Sequence, residues 1–288
     1  MSAIALALVL AAALLHAGWN FLLKRSGGGP GVVSAASLAT VIIFAPVALV
    51  TVLLTGYRPH PVDLALMAGS GALHTAYFLL LDRAYRSGGD LSVVYPLARA
   101  TGPLITIVAA VALLGERPGP AALGGAILIG ASALLLAGNP FAWTRASGGS
   151  AAAFALATGC SIAGYTVWDK QAVATWLVPP LVYDWGCNAF RIAVLVPWTR
   201  ARAPGAITAA WRERRKTTLA IAVMSPASYI LVLTAMVFTP VSLVAPAREI
   251  SILFAALMGA HWLREGDVGR RLLAAAGMAL GIAGLALG

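Results

Sequence analysis

Leu91-Ser92-Val93-Val94-Tyr95-Pro96-Leu97-Ala98-Arg99 has a counterpart far downstream, Val241-Ser242-Leu243-Val244-Ala245-Pro246-Ala247-Arg248. Each is an apolar run holding a proline, with an arginine two or three residues after it. Pro96 and Pro246 are 150 residues apart, and Arg99 and Arg248 are 149 apart. The offset returns on both sides of this pair. Ala17-Gly18-Trp19 recurs as Ala163-Gly164-Tyr165, and Lys24 as Lys170, at 146. Tyr77 and Tyr229 are 152 apart, Glu116 and Glu265 149. Loop insertions account for drifts of this size. The series marks an internal repeat, with residues 1–140 as one half and 150–288 as the other.

Composition decides the solvent. Of 288 residues 60% are hydrophobic and 10% charged, with a mean hydropathy of +0.87. An ordinary soluble domain is about 25% charged. That excludes a disordered chain and a water-soluble enzyme, because a chain this short cannot bury so much apolar surface in its own core. Ten apolar runs each approach the roughly 20 residues that span a bilayer. They cover Ala3–Leu23, Gly31–Leu54, Leu64–Tyr85, Leu91–Leu114 and Ala121–Ala137 in the first half. In the second half they cover Ala151–Trp168, Leu177–Thr199, Thr218–Phe238, Val241–Leu263 and Gly269–Leu287. A lone span in lipid must satisfy its own backbone hydrogen bonds, so each is expected to be a helix. Alternating segments of about ten residues, the mark of a membrane barrel, are absent. Five spans per half is an odd number, so the second half enters the membrane inverted. The expected fold is an all-α integral membrane protein, ten transmembrane helices in two inverted five-helix repeats.

The net charge of +10 lies in loops, without the interleaved aromatics that a nucleic-acid surface needs. Fourteen of the 20 Lys and Arg fall in the loops after odd-numbered spans, three in those after even-numbered spans, and Arg99, Arg191 and Arg248 within spans. The positive-inside rule then predicts a multi-pass inner-membrane protein of a bacterium with both termini outside. No Lys or Arg precedes the first apolar run, so it is not expected to be a cleaved signal.

Gly89-Asp90-Leu91 through Arg99, continuing by Gly102-Pro103-Leu104 to Leu114-Gly115-Glu116-Arg117, resembles the EamA family of the drug/metabolite transporter superfamily. So does the opening His16-Ala17-Gly18-Trp19-Asn20 with Lys24. The resemblance covers the whole chain. It implies a ten-span carrier, often an exporter of small metabolites, with a cavity lined by spans 1, 3, 4, 6, 8 and 9. Members of that family are usually drawn with both termini in the cytoplasm, opposite to the orientation that these loop charges predict.

The candidate site follows from what is costly in lipid. A charge at depth faces water or a partner. Arg99 and Arg248 therefore either line a solute pathway suited to a carboxylate, phosphate or phosphonate, with Pro96 and Pro246 as hinges, or snorkel or form structural ion pairs. Glu249, whose counterpart is Ala100, is either a proton carrier or a structural counter-ion. His16, Trp19 and Asn20 end the first span with a polar stripe. His74, Tyr77 and Tyr95, then Tyr165, Trp168 and Tyr229, supply aromatic and polar walls. Asp184, Asn188 and Arg191 lie at i, i+4, i+7, the spacing of a hydrogen-bonded ladder. Gly277 and Gly281 form a GxxxG suited to close helix contact, within the chain or in a homodimer.

Signatures of a nucleotide loop, a metal site or a nucleophile are missing. The expectation is a non-enzyme without cofactor, monomeric or a homodimer, whose partners are a small-molecule substrate, lipid and, as coupling ion, protons. A lipid-linked intermediate flippase, an intramembrane enzyme and an assembly subunit remain the alternatives.

Overall fold

The computed structural model describes residues 1–87, 91–137, 148–263 and 268–288, without the side chains of residues 85, 86, 91–96, 137, 148, 149, 256, 259–263, 268 and 271. Every regular element among the described residues is a helix. In the first half these are α1 (Ala3–Arg25), α2 (Pro30–Thr55), α3 (Pro61–Arg86), α4 (Leu91–Leu114) and α5 (Pro120–Ala137). In the second they are α6 (Gly148–Ala174), α7 (Pro180–Arg202), α8 (Ala206–Glu213), α9 (Arg215–Phe238), α10 (Val241–Arg248), α11 (Ile250–Leu263) and α12 (Val268–Leu287). Proline opens α2, α3, α5 and α7, at the position where its missing N–H has no intrahelical partner anyway. Asp63 caps α3 by accepting the His60 N–H at 2.8 Å and the Tyr57 hydroxyl at 2.6 Å. Burial, followed by that bond, pushes the Tyr57 phenol well above its usual range.

Stretches of α1, α2, α3, α4, α6 and α9 are long and apolar enough to cross a membrane. Ile42, Leu53, Leu54 and Leu113 stand exposed on the outside of the bundle, a surface that lipid tolerates and water does not. The chain is a multi-pass α-helical membrane protein.

The two halves interleave. α1 packs on α9, α3 on α6 and α7, α4 on α6, α2 on α7, and α5 on α12. The last pair approaches closely because it meets through glycines: a Cβ on Gly125 would lie 2.4 Å from the Gly281 carbonyl oxygen, and one on Gly277 2.2 Å from Ser132 Oγ. The GxxxG pair is thus turned to a contact within the chain.

Loop contacts define the two ends of the bundle. At one end the Met1 amino group donates to the Leu285 and Ala286 carbonyls at 3.4 and 3.3 Å. At the same end Glu116 accepts the backbone N–H groups of Val241 and Ser242 at 2.8 and 2.9 Å. Lys170 there donates to the carbonyls of Met236 (2.6 Å) and Thr239 (3.0 Å). At the other end the Arg214 guanidinium meets the Ser26 carbonyl, joining the α1–α2 loop to the start of α9.

Three boundaries depart from the sequence reading. The sixth span does not stop at Trp168 but runs to Ala174, with Asp169 and Lys170 inside the helix. The basic stretch before α9 contains the short helix α8. The apolar run 241–263 is interrupted at Glu249. Pro246 has no N–H to offer the Ser242 carbonyl, and the Glu249 N–H turns back to the Pro246 carbonyl at 3.0 Å.

Candidate functional site

Proline shapes the walls of the central cavity. Pro226, inside α9, leaves the Ala222 carbonyl without its helical donor, and the Thr40 hydroxyl of α2 fills the place at 2.8 Å. Pro226 and Ser225 line one side of a cavity of about 110 Å³ between α1, α3, α4, α6, α7, α9 and α10. His16, Trp19 and Asn20 enter it from α1, His74, Tyr77 and Phe78 from α3, and Arg99 from α4. Tyr165 comes from α6, Tyr229 from α9 and Arg248 from α10, while α7 supplies Asp184, Cys187, Asn188 and Arg191.

The aromatic wall is a connected set of rings. His74 stacks on Tyr165 with centroids 4.0 Å apart and meets the Tyr229 ring edge-on at 5.5 Å. Tyr165 stands 6.4 Å from both Tyr77 and Tyr229. His74 Nδ1 lies 3.0 Å from the Ser70 carbonyl oxygen and 3.2 Å from Ser70 Oγ, which fixes the ring. On α1, His16 and Trp19 meet edge to face at 5.0 Å, and Asn20 donates to the His16 carbonyl at 2.7 Å.

The charged side has two parts. Arg99 Nη2 lies 3.1 Å from Glu249 Oε2 and donates to Ser251 Oγ at 3.1 Å. Arg248 Nε is 4.0 Å from Glu249 Oε1. One buried carboxylate thus stands between two guanidiniums and leaves one unit of positive charge over. The Nε and Nη2 atoms of Arg248 are buried with no hydrogen-bond partner among the described residues. An unmet guanidinium donor in a low-dielectric site is costly, and an anionic ligand would satisfy it. The second part is the ladder on α7. Asn188 donates to Asp184 Oδ2 at 3.0 Å and accepts from Arg191 at 2.5 Å, and Arg191 also reaches Ser37 of α2 at 3.1 Å. Arg191 lies over the Phe78 ring at 5.7 Å, so the ladder forms part of the wall.

Two expected residues stand elsewhere. Glu249 is buried behind the arginines and not on the cavity surface. Trp168 points away: its indole N–H donates to the Leu66 carbonyl at 2.8 Å, and its ring fills the space above Gly69. Its i+3 spacing puts it on the same side of α6 as Tyr165, but the Leu66 carbonyl and the gap at Gly69 draw its ring to α3 outside the cavity lining. The side chains of Tyr95 and Pro96, like Glu265, lie outside the described residues. The sequence reading set Asp169 with Lys170 at the end of the sixth span and gave it no part in the site; it is fully buried behind the cavity wall. Tyr183 donates to its Oδ1 at 2.8 Å, and Tyr229 donates to its Oδ2.

No known family model matches the chain, and no curated protein matches it in sequence. A solved crystal structure, described only as that of a protein, is similar over 100% of this chain and 98% of its own, with a TM-score of 0.76 and 19% identity. The likeness is one of fold.

Proposed function

We propose that the protein is a secondary carrier for a small anionic or zwitterionic metabolite, of the EamA kind, working by alternating access in a bacterial inner membrane. The observation that carries this reading is the central cavity with Arg248 on its wall, two of whose buried nitrogens lack a hydrogen-bond partner among the described residues. A site for one water needs about 10–15 Å³, so the cavity suits a solute of on the order of ten heavy atoms. The chain has no nucleotide-binding motif, so uphill movement must draw on a gradient.

Counting α10 with α11 as one crossing and leaving α8 outside the bilayer gives ten crossings. Packing supports a two-fold relation between α1–α5 and the remaining five. Exchanging the halves turns the α1–α9 contact into α6–α3, and α4–α6 into the contact of α1 with α10 and α11. The α2–α7 and α5–α12 contacts map onto themselves. The inverted repeat is part of this proposal, as is the orientation. The basic loops joined by Arg214 and Ser26 face the cytoplasm, and both termini lie outside.

Reconstituted vesicles test the function through counterflow of labelled L-alanine, L-lactate and methylphosphonate. Exchange of at least one of these above empty vesicles is expected, and exchange of none would overturn the solute class. Orientation is tested by Arg214→Cys in a Cys160→Ser, Cys187→Ser background. Maleimide should reach it only from the cytoplasmic side, and labelling from the outside would reverse the topology.

A further inference from the structure

Glu249 has two guanidiniums beside it, and Asp184 reaches Arg191 through Asn188. Asp169 differs from both. Like Asp184 it forms no direct ion pair among the described residues, but it is fully buried and no hydrogen-bonded side chain links it to an arginine there. The neighbouring Lys170 points along α6 to the Met236 and Thr239 carbonyls instead. Tyr183 of α7 donates to one oxygen of Asp169 and Tyr229 of α9 to the other, with the Ser70 hydroxyl of α3 beside them. Tyr183 is also 3.3 Å from the Leu66 carbonyl oxygen of α3, a second acceptor within its reach. Tyr229 faces the cavity with its ring edge against His74. The Asp169 carboxylate is therefore one hydroxyl away from the solute space, at a junction of α3, α6, α7 and α9.

We propose that Asp169 is the proton-binding site that couples solute movement to the proton gradient, and that the cargo it accompanies is a monoanion. The proposal rests on the carrier reading above. With the proton off, both tyrosines donate to the carboxylate. With the proton on, the new O–H is itself a donor, and the phenol facing it can accept that proton and turn its own O–H to another acceptor. Tyr183 can turn to the Leu66 carbonyl, so the four-helix junction has two hydrogen-bonded arrangements. A buried carboxylate without a direct cationic partner is relieved of a desolvation cost when it loses its charge.

Charge around the cavity gives the stoichiometry. The cations are Arg99 of α4, Arg191 of α7 and Arg248 of α10, and the acids are Asp184, Glu249 and Asp169. Counting the facing His16, His74, Tyr165 and the Cys187 thiol as neutral, the set sums to zero with Asp169 ionised and to +1 with it protonated. The loaded site then matches one negative charge, and departure of the proton removes the positive charge that held the anion. One proton moves with one monoanion, in the same direction and without net charge transfer.

The test uses the full chain in vesicles, with L-lactate, methylphosphonate and L-alanine as labelled probes and empty vesicles as the leak control. With the potential clamped to zero, an inward gradient of about one pH unit should drive accumulation of an anionic probe towards a ceiling of about tenfold. Asp169→Asn should bring that ratio to one while counterflow without a gradient persists, and Asp169→Glu should restore part of the accumulation. Wild-type-like accumulation by Asp169→Asn would overturn the proposal, as would accumulation of the anion that follows membrane potential. Infrared titration of the purified protein between about pH 5 and about pH 9 separates the two readings. If no probe exchanges, the carrier reading for these solutes fails. The proton site still stands if a pH-dependent carboxylic-acid band disappears in Asp169→Asn, and falls if no such band is lost.

Discussion

The segments around Pro96 and Pro246 occupy equivalent places in the sequence repeat, yet the chain treats them differently. The backbone of α4 is helical from Leu91 to Leu114, straight through Pro96. Its counterpart is broken at Glu249 into α10 and α11. The break falls where the first half has Ala100 and the second has a carboxylate, both fully buried. A repeated scaffold thus carries one shared anion: Glu249 serves the arginine of its own half at 4.0 Å and that of the other half at 3.1 Å. Equivalent arginines therefore differ in kind. Arg99 is tied to Glu249 and Ser251, while Arg248 faces Glu249 only through Nε at 4.0 Å, and its Nε and Nη2 have no hydrogen-bond partner among the described residues.

The largest expected effect comes from cutting the tighter pair. Arg99→Ala leaves Glu249 buried with only the more distant Arg248, and breaking a buried pair costs about 3–5 kcal/mol. Thermal unfolding in detergent should show a clear drop in Tm, largely restored in the Arg99→Ala, Glu249→Gln double variant. An unchanged Tm in the single variant would mean that the first half does not depend on the shared carboxylate.

Arg248→Ala is expected to act on binding. The loss of a charge-assisted hydrogen bond is worth about 1.5–3 kcal/mol, roughly a 10- to 150-fold loss of affinity. Arg248→Lys keeps the charge without the planar fork and should fall between wild type and alanine. Counterflow concentration dependence at matched membrane abundance measures both. Equal losses for Arg99→Ala and Arg248→Ala, with no difference in Tm, would erase the distinction between the two arms.

The same contrast explains what was legible in the sequence. Depth in an apolar run is a local property, and it singled out Arg99 and Arg248 as residues needing a partner or water. The proline effect is local too, but it does not tell the two arms apart: α4 runs on through Pro96, and the second arm breaks at Glu249. What the sequence hides is non-local. Asp169 and Lys170 read as a charged end of span because their partners lie in other helices: Tyr183 and Tyr229 for the acid, the Met236 and Thr239 carbonyls for the base. Trp168 shares an aromatic cluster with Tyr165 in sequence, but Gly69 on α3 offers it a space outside the cavity. Glu249 and Ala100 show no sign, one residue at a time, that a single carboxylate answers two arginines.

Glu116 sharpens the comparison at smaller cost. Its carboxylate receives the first free N–H groups of α10, so it fixes the start of the helix that carries Arg248. Glu116→Gln removes the charge from both bonds, and a cap of this kind is worth about 1 kcal/mol. A modest fall in Tm and a several-fold fall in anion affinity should appear together. A fall in Tm alone would show that Arg248 is positioned by its other neighbours.

Pro246→Ala should have the smallest effect on stability and tests whether the proline that both arms share contributes to the break in the second. Alanine restores an N–H that can reach the Ser242 carbonyl, a gain of about 0.5–1.5 kcal/mol for one hydrogen bond. It also frees the unfolded chain that proline had restricted, a loss of about 0.4–1 kcal/mol. The two nearly cancel, so Tm should move little. Geometry should not be spared, because a healed helix turns Arg248 and Glu249 about its axis relative to Pro240 and Val241. Affinity should fall several-fold while Tm holds, and hydrogen exchange should slow across residues 246–250. Unchanged affinity with slowed exchange would show that the break is not what aims Arg248. The asymmetry of the two arms would then rest on Glu249 facing Ala100 alone.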